Sequence, residues 1–263
     1  MCYDVSFSST GGKISEYFPG IEIDPRVPED SQMEHVMAQA FRRYPIVIRG
    51  DEGYQLKMFE WGIIPEYMNT PEKIKKGRNS MCNARSEKII DDHKSYWHRI
   101  RKQRCLIPVT GIFEHREVKG FKNKVPYFVQ LRNRDMFCIP GLYHYPMRAN
   151  IETGEITGTY SLITRPANSL MEKIHNSGDQ AFRMPLFLSK EKELEWLKPS
   201  LTDEEIKSVL QFEMPSEAMD YYPVFTIRTT KERPDGLSKL DPYEWPNLPP
   251  LGNDNPQTDL FSS

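Results

Sequence analysis

CLIPVTGIFEHREVKGFKNKVPYFVQLRNRDMFCIPGLYHY, residues 105–145, decides the fold. Three runs in it, 105–115, 125–131 and 135–145, are rich in β-branched and aromatic residues and are separated by charged breaks. That is the composition of strands joined by turns. The break at 119–124 suits a plain hairpin connection. A fourth strand follows at 159–164. Working outward, 2–8, 45–49, 56–64, 184–188 and 221–227 read as further strands, with 45–49 and 56–64 paired around the turn at 50–53. Helical spacing is expected over 31–43, 91–103, 167–174, 190–197 and from Thr202, while the polar stretch 69–78 reads as an exposed loop. Many strands with helices interspersed irregularly predict an α+β fold with a mostly antiparallel, partly closed sheet. No internal repeat is visible. From Pro246 the composition turns to Pro, Asn, Asp, Gln and Ser. Residues 1–245 are therefore expected to form the folded domain and 246–263 a disordered C-terminal tail.

With 263 residues, 38% hydrophobic and 27% charged, the chain can bury a sizeable core and is ordinary for a soluble globular protein. Its net charge of −2 excludes a uniformly basic nucleic-acid coat. The charge is uneven, however. From Lys73 to Arg104 there are eleven Lys and Arg against Glu87, Asp91 and Asp92, a local excess of eight that leaves the remainder near −10. A basic segment on an acidic body fits a face that meets phosphates, and fits a solvated loop and helix as well. The four cysteines, Cys2, Cys82, Cys105 and Cys138, show no CxxC or zinc-like spacing, so neither a disulfide framework nor a metal site is expected. Cys105 and Cys138 lie in apolar strands and read as small core residues. No apolar run reaches the length of a membrane span and the first residues lack a signal-peptide pattern, which makes a cytoplasmic location the default expectation.

Cys2 carries the first chemistry. A small second residue permits removal of Met1, and the new terminus would be a 1,2-aminothiol. Its amine forms an imine with an aldehyde, and its thiol then closes a five-membered thiazolidine. An α-amine of pKa about 7.7–8.0 is roughly one-tenth unprotonated at pH 7, against well under a thousandth for a lysine. An ordinary strand residue behind a retained Met1 is the other reading. Trp61 offers a face for base stacking, Asn83 can hydrogen-bond near a nucleophile, and Arg85 suits forked contact with phosphate. A core Trp, a turn Asn and a surface Arg would look the same. Glu114 closes an apolar strand, where desolvation can raise a carboxyl into the range of a general acid or base; a solvated edge Glu is the alternative. Thr164 opens TRPAN, which leads through a helix to His175 and on to Arg183. A histidine at a helix end is suited to donate protons near neutral pH, or simply to cap.

Taken in order, these pieces resemble the SOS response-associated peptidase (SRAP) family. They are Met1-Cys2, WGIIP at Trp61, NARSE at Asn83, P-x-x-G-x-x-E ending at Glu114, Pro126-Tyr127-Phe128, Gly141-Leu142-Tyr143, TRPAN at Thr164, His175, RMP at Arg183 and Tyr222-Pro223-Val224. The resemblance spans residues 2 to about 228. It implies a barrel-like sheet with surrounding helices and a basic channel, and covalent crosslinking to abasic sites in single-stranded DNA. Cys2 would be the nucleophile, Asn83 would orient its amine, Glu114 would transfer protons and His175 would assist opening of the deoxyribose. Arg85, Arg183 and Thr164 would meet the DNA backbone, with Trp61 lining the groove. Abasic single-stranded DNA is the implied partner, with no cofactor, metal or membrane. A cysteine peptidase using Cys2, Glu114 and His175, acting on a peptide bond or only on its own Met1, is a competing reading, and a non-catalytic single-strand binding module is another. Two departures stand out. Tyr3 and Asp4 follow Cys2 where the family has Gly-Arg, so phosphate contacts near the nucleophile must come from elsewhere. Residues 176–182 also separate His175 from RMP, where the family places a histidine one residue before it.

Gln257-Thr258-Asp259-Leu260-Phe261 resembles the Gln-x-Ser/Asp-Leu/Met-Phe peptide by which bacterial replication and repair proteins bind the sliding clamp. Gln257 would supply polar anchoring while Leu260 and Phe261 enter an apolar pocket. A chance match is the other reading.

Overall fold

Gly111 is where the run 105–115 changes sheets. Arg104–Val109 lies in one sheet and Gly111–Arg116 in another, with Thr110 between them. A Cβ at Gly111 would stand 2.2 Å from the Phe128 ring, so only glycine lets the chain turn against it. The structure, a computed structural model, describes residues 2–9, 11–30, 32–146, 149, 154–229 and 231–254.

The first sheet has five strands in the order Met219–Pro223, Val125–Leu131, Gly111–Arg116, Asp4–Phe7 and Met33–Met37, antiparallel throughout. In the second, Thr159–Pro166 pairs with Phe137–His144, which continues through Arg104–Val109 and Arg43–Arg49 to Tyr54–Trp61. Tyr54–Trp61 then pairs in parallel with Thr159–Pro166, so the path returns to its start. Sequence and structure therefore agree on an α+β fold with a mostly antiparallel, barrel-like sheet. Three strands of this ring contribute Tyr44, Trp61 and Tyr160, all fully or almost fully buried, with the last two stacked 5.7 Å apart. Side chains of this size each contribute roughly 1.5–3 kcal/mol by leaving water. Among the described residues, no helix is long and apolar enough to cross a membrane.

Three local expectations fail. Residues 31–43 form no α-helix: Met33–Met37 pairs with Asp4–Phe7, and Arg43–Arg49 with Tyr54–Trp61. Strand partners distant in sequence outweigh a local apolar spacing. Residues 69–78 are not a loop but carry the helix Pro71–Gly77, whose Thr70 cap accepts from the Lys73 amide and whose proline opens the first turn. Within 91–103 only Tyr96–Arg99 is helical.

The expected disordered tail from Pro246 is corrected as well, because it docks as far as Asp254. Arg116, fully buried on Gly111–Arg116, donates to the carbonyls of Pro249, Pro250 and Asn253 and to Asp254 Oδ1 at 2.7 Å. Leu248 and Leu251 pack on the core beside it. A buried guanidinium needs acceptors, and residues 249–254 supply them as a strap across Arg116, which composition alone could not show. Gln257, Leu260 and Phe261 lie outside the described residues. Arg116→Met is expected to cost about 3 kcal/mol in urea unfolding. Ending the chain at Trp245 should cost a similar amount, and combining the two changes should add little further. Fully additive losses would show that Arg116 and the strap stabilise the fold independently.

Candidate active site

Asp4 pairs opposite Phe113, which carries the residues ahead of Asp4 alongside Glu114 and His115. Cys2 is fully buried and its Sγ donates to the Asp4 carbonyl at 3.5 Å. Burial, and after it the charge of Glu114, pushes the thiol well above its ordinary range. Glu114 is buried too. Desolvation raises it to about 7, and its Oε1 has no hydrogen-bond partner.

Asn83 arrives from the other sheet. Its strand, Asn83–Arg85, runs parallel to Thr159–Pro166, with Asn83 opposite Leu162. The preceding Cys82 and the Cys2 end of the chain meet on one backbone segment. The Cys82 thiol approaches the Ala38 carbonyl at 4.0 Å, and the Ala38 amide donates to the Tyr3 carbonyl at 2.8 Å. Asn83 is buried, yet neither its Oδ1 nor its Nδ2 has a partner. Unpaired buried polar groups cost about 1–3 kcal/mol each and are rare in folded proteins. Here the orphaned oxygen belongs to a carboxyl whose charge acts on the Cys2 thiol, and the orphaned amide follows Cys82, which meets the Cys2 end of the chain at Ala38.

His175 ends the helix Ser169–Ile174, which Asn168 caps. Its Nδ1 lies 2.8 Å from the Arg183 carbonyl, which can only accept, so Nδ1 carries the proton. Burial, followed by the amino-terminal charge, lowers its pKa to about 4. The ring is therefore neutral at pH 7. A ring kept neutral by burial is not the proton donor near neutral pH that a helix-end histidine suggests. The stretch between His175 and RMP loops out: the Phe182 amide donates back to the His175 carbonyl at 2.9 Å, returning Arg183 to His175. The extra residues leave the pairing intact.

The residues expected to bind DNA divide. Arg85 and Arg183 lie on strands that flank Thr159–Pro166 from opposite sides, with Thr164 in register with Arg85 and Pro166 with Arg183. Thr164 is buried and accepts from Arg183 Nη2 at 3.2 Å, while Arg183 holds Glu87 through both terminal nitrogens. Arg183 is thus a buried strut with an acid partner, not an open cation. Arg85 is half-buried and donates to Gln180 Oε1 at 2.5 Å. Trp61 corrects a further expectation. It is 1% exposed, stacked on Tyr160, and its Nε1 donates to the Cys82 carbonyl at 2.8 Å. It supports the strand of Asn83 and offers no free face to a base. The basic segment is thinned in the same way, since Arg78 and Arg104 turn inward to backbone carbonyls. Lys73, Lys75, Lys76, Lys88, Lys94 and Arg99 remain exposed.

One cluster was not anticipated. Asp4, 1% exposed, is clasped by Arg228 through Nε at 3.0 Å and through Nη2, and His35 Nε2 donates to it at 2.7 Å. Burial alone would push Asp4 up, but these two partners outweigh it and hold the carboxylate low. The signal in the sequence was an acid two residues after Cys2.

The sequence pattern of the family described as "SOS response associated peptidase (SRAP)" matches residues 1–227. The chain is 29% identical over 227 residues to abasic site processing protein YoqW of Bacillus subtilis (strain 168), covering 86% of this chain and 93% of that protein. It is 28% identical over 232 residues to abasic site processing protein YobE of the same organism, covering 88% and 98%. A crystal structure of a Bacteroides thetaiotaomicron protein superimposes with a TM-score of 0.72 at 33% identity, covering 85% of this chain and 92% of that one. A Bordetella bronchiseptica protein shares the fold, with a TM-score of 0.67 at 21% identity.

Proposed function

The chain belongs to the SRAP family, and from that premise we propose that it processes abasic sites by bonding covalently to them in single-stranded DNA through Cys2. The observation that carries this reading is a buried thiol acted on by a buried carboxyl, Glu114, whose Oε1 has no partner, together with the buried, unpartnered amide of Asn83 on the strand that follows Cys82. Once Met1 is removed, the Cys2 amine attacks the C1′ aldehyde of the ring-opened sugar. The resulting carbinolamine loses water to give an imine. Sγ then adds to the imine carbon, and the thiol proton ends on nitrogen. The sum is aldehyde plus aminothiol giving thiazolidine plus one water. Asn83 orients the amine, Glu114 near 7 supplies and recovers protons, and neutral His175 accepts the hydroxyl proton as the sugar opens. Arg85 and the exposed lysines hold the backbone of the strand.

A cysteine peptidase needs a thiolate at neutral pH, usually one stabilised by a charged histidine. Here burial and Glu114 keep the thiol protonated, and His175 is uncharged. A thiol that must arrive with its proton suits addition to an imine. Intact-mass measurement before and after incubation with abasic single-stranded DNA tests the reading. The expected species is a chain without Met1, then that chain plus the DNA minus one water. A mass unchanged by abasic DNA would exclude crosslinking.

The 257–261 peptide adds a second partner to the proposal, the replication sliding clamp. Gln257 follows the Asp254 anchor by three positions, a reach of roughly 10 Å. Binding is expected to be weak, roughly micromolar, and to vanish in a chain ending at Pro256 while crosslinking persists. Equal binding of clamp by both chains would assign the match to chance.

A further inference from the structure

Arg228 lies one residue beyond the region that matches the family. The preceding Ile227 is buried in a small second core with Phe113, Phe128 and Val224, and Lys239 Nζ donates to the Thr229 carbonyl at 2.6 Å. The backbone is therefore fixed on both sides of it. From there the side chain reaches back to Asp4, two residues from the nucleophile. Its charge acts on Cys2 and Glu114, and on Tyr3 and His115 as well. It is the guanidinium that stands over the candidate site.

Its hydrogen bonds are divided. Nε and Nη2 are spent on the Asp4 carboxylate, whereas Nη1 has no partner among the described residues. The side chain remains 42% exposed, against 2% for Asp4. One edge of the fork is thus anchored on buried Asp4, two residues from Cys2, while the side chain as a whole stays partly exposed. A buried carboxylate so close to an anionic strand would repel it, and Arg228 both cancels that charge and presents a donor. The sugar that reacts at Cys2 brings its own phosphodiesters with it, within a few bonds of C1′.

We propose that Arg228 binds a phosphodiester flanking the abasic sugar, held in place by Asp4, and so sets the position of the strand for attack by Cys2. The inference rests on the crosslinking reading above. It gives the chain a phosphate contact next to the nucleophile, where Asp4 itself cannot provide one. Asp4 is the positioning residue and Arg228 the binding residue.

Affinity for single-stranded DNA carrying an unreactive reduced abasic site separates the binding role from the chemistry. Arg228→Gln should weaken it roughly tenfold, the loss of one charge-assisted contact. The slope of log affinity against log salt should become shallower by up to about 0.7, as for one phosphate on a single strand. Arg228→Lys should keep the slope, and Asp4→Asn, which keeps the guanidinium but removes its anchor, should keep the slope and slow crosslinking more than it changes affinity. Because Arg228→Gln leaves Asp4 with one partner fewer, the Asp4→Asn, Arg228→Gln double variant serves as the control for folding, and it too should bind weakly. Crosslinking to abasic DNA should fall in both Gln variants by at least fivefold more than reaction with free 2-deoxyribose, which has no phosphate. Affinity and salt slope unchanged in the double variant, or equal losses with DNA and with 2-deoxyribose, would overturn the assignment. A wild-type chain that binds the unreactive DNA yet never reacts with abasic DNA would instead sink the crosslinking reading.

Discussion

Neither Cys2→Ala nor Cys2→Ser should give an SDS-resistant adduct with abasic single-stranded DNA, and each should give one only after chemical reduction of the imine. Both substitutions leave a small second residue, so Met1 is still removed and an α-amine is still present. What differs is the second bond. Serine cannot close the sulfur ring and alanine has nothing to close with, so the imine hydrolyses when the DNA is denatured. The yield of stable adduct should fall to background in both variants, the largest functional effect expected for any single residue. Loss of the fold does not explain it. Cys2 is fully buried, but its side chain is small, and removing one buried sulfur costs on the order of 1 kcal/mol. Circular dichroism and urea unfolding should show a native chain. An abundant heat- and SDS-stable adduct from Cys2→Ala would move the nucleophile to another residue.

The same residue shows how far the sequence could be read. A cysteine in second place announces aldehyde chemistry from its amine and thiol alone, and that reading needs no fold. Glu114 was legible for a related reason: a carboxylate in an apolar run is desolvated wherever that run packs, and burial does raise it to about 7. The strands of 105–145 were legible because their composition is strong and their turns are short. The bend at Gly111 was not, since it depends on how closely Phe128 approaches from a neighbouring strand. Arg183 and Trp61 were misread for one shared reason. Their residue types suit DNA, but Glu87 and Tyr160, which occupy them, come from other parts of the chain. Asp4 and Arg228 are 224 positions apart, and no local pattern connects them. Sequence reading picked out Cys2, Asn83 and Glu114, which the fold buries; what it missed were the partners that neutralise or occupy the charged and aromatic residues around them.

Glu114→Gln separates the cost of the site from its use. In the wild-type chain, imine formation needs an unprotonated amine, with a pKa of about 7.7–8.0, and a protonated Glu114, at about 7. The rate should therefore be bell-shaped, with its maximum near pH 7.4 by the midpoint of those values. His175 at about 4 adds no limb in this range. Glutamine cannot exchange a proton, so the alkaline limb should disappear and the rate at the optimum should fall by ~10²-fold. Stability should move the other way. Glu114 is raised from 4.5 to about 7, so the native state holds a proton that the unfolded chain releases between those values. Its contribution is full below pH 4.5 and is lost as pH rises through 7, an effect on the order of 3 kcal/mol. His175 has the opposite sign: lowered from 6.5 to about 4, its contribution is present above 6.5 and is lost as pH falls through 4. Urea unfolding at pH 8 should therefore show Glu114→Gln more stable than the wild type, with the advantage gone near pH 4. A variant that is slower but no more stable at pH 8 would mean that Glu114 is solvated in solution. A variant that keeps the alkaline limb would mean that another group carries the proton.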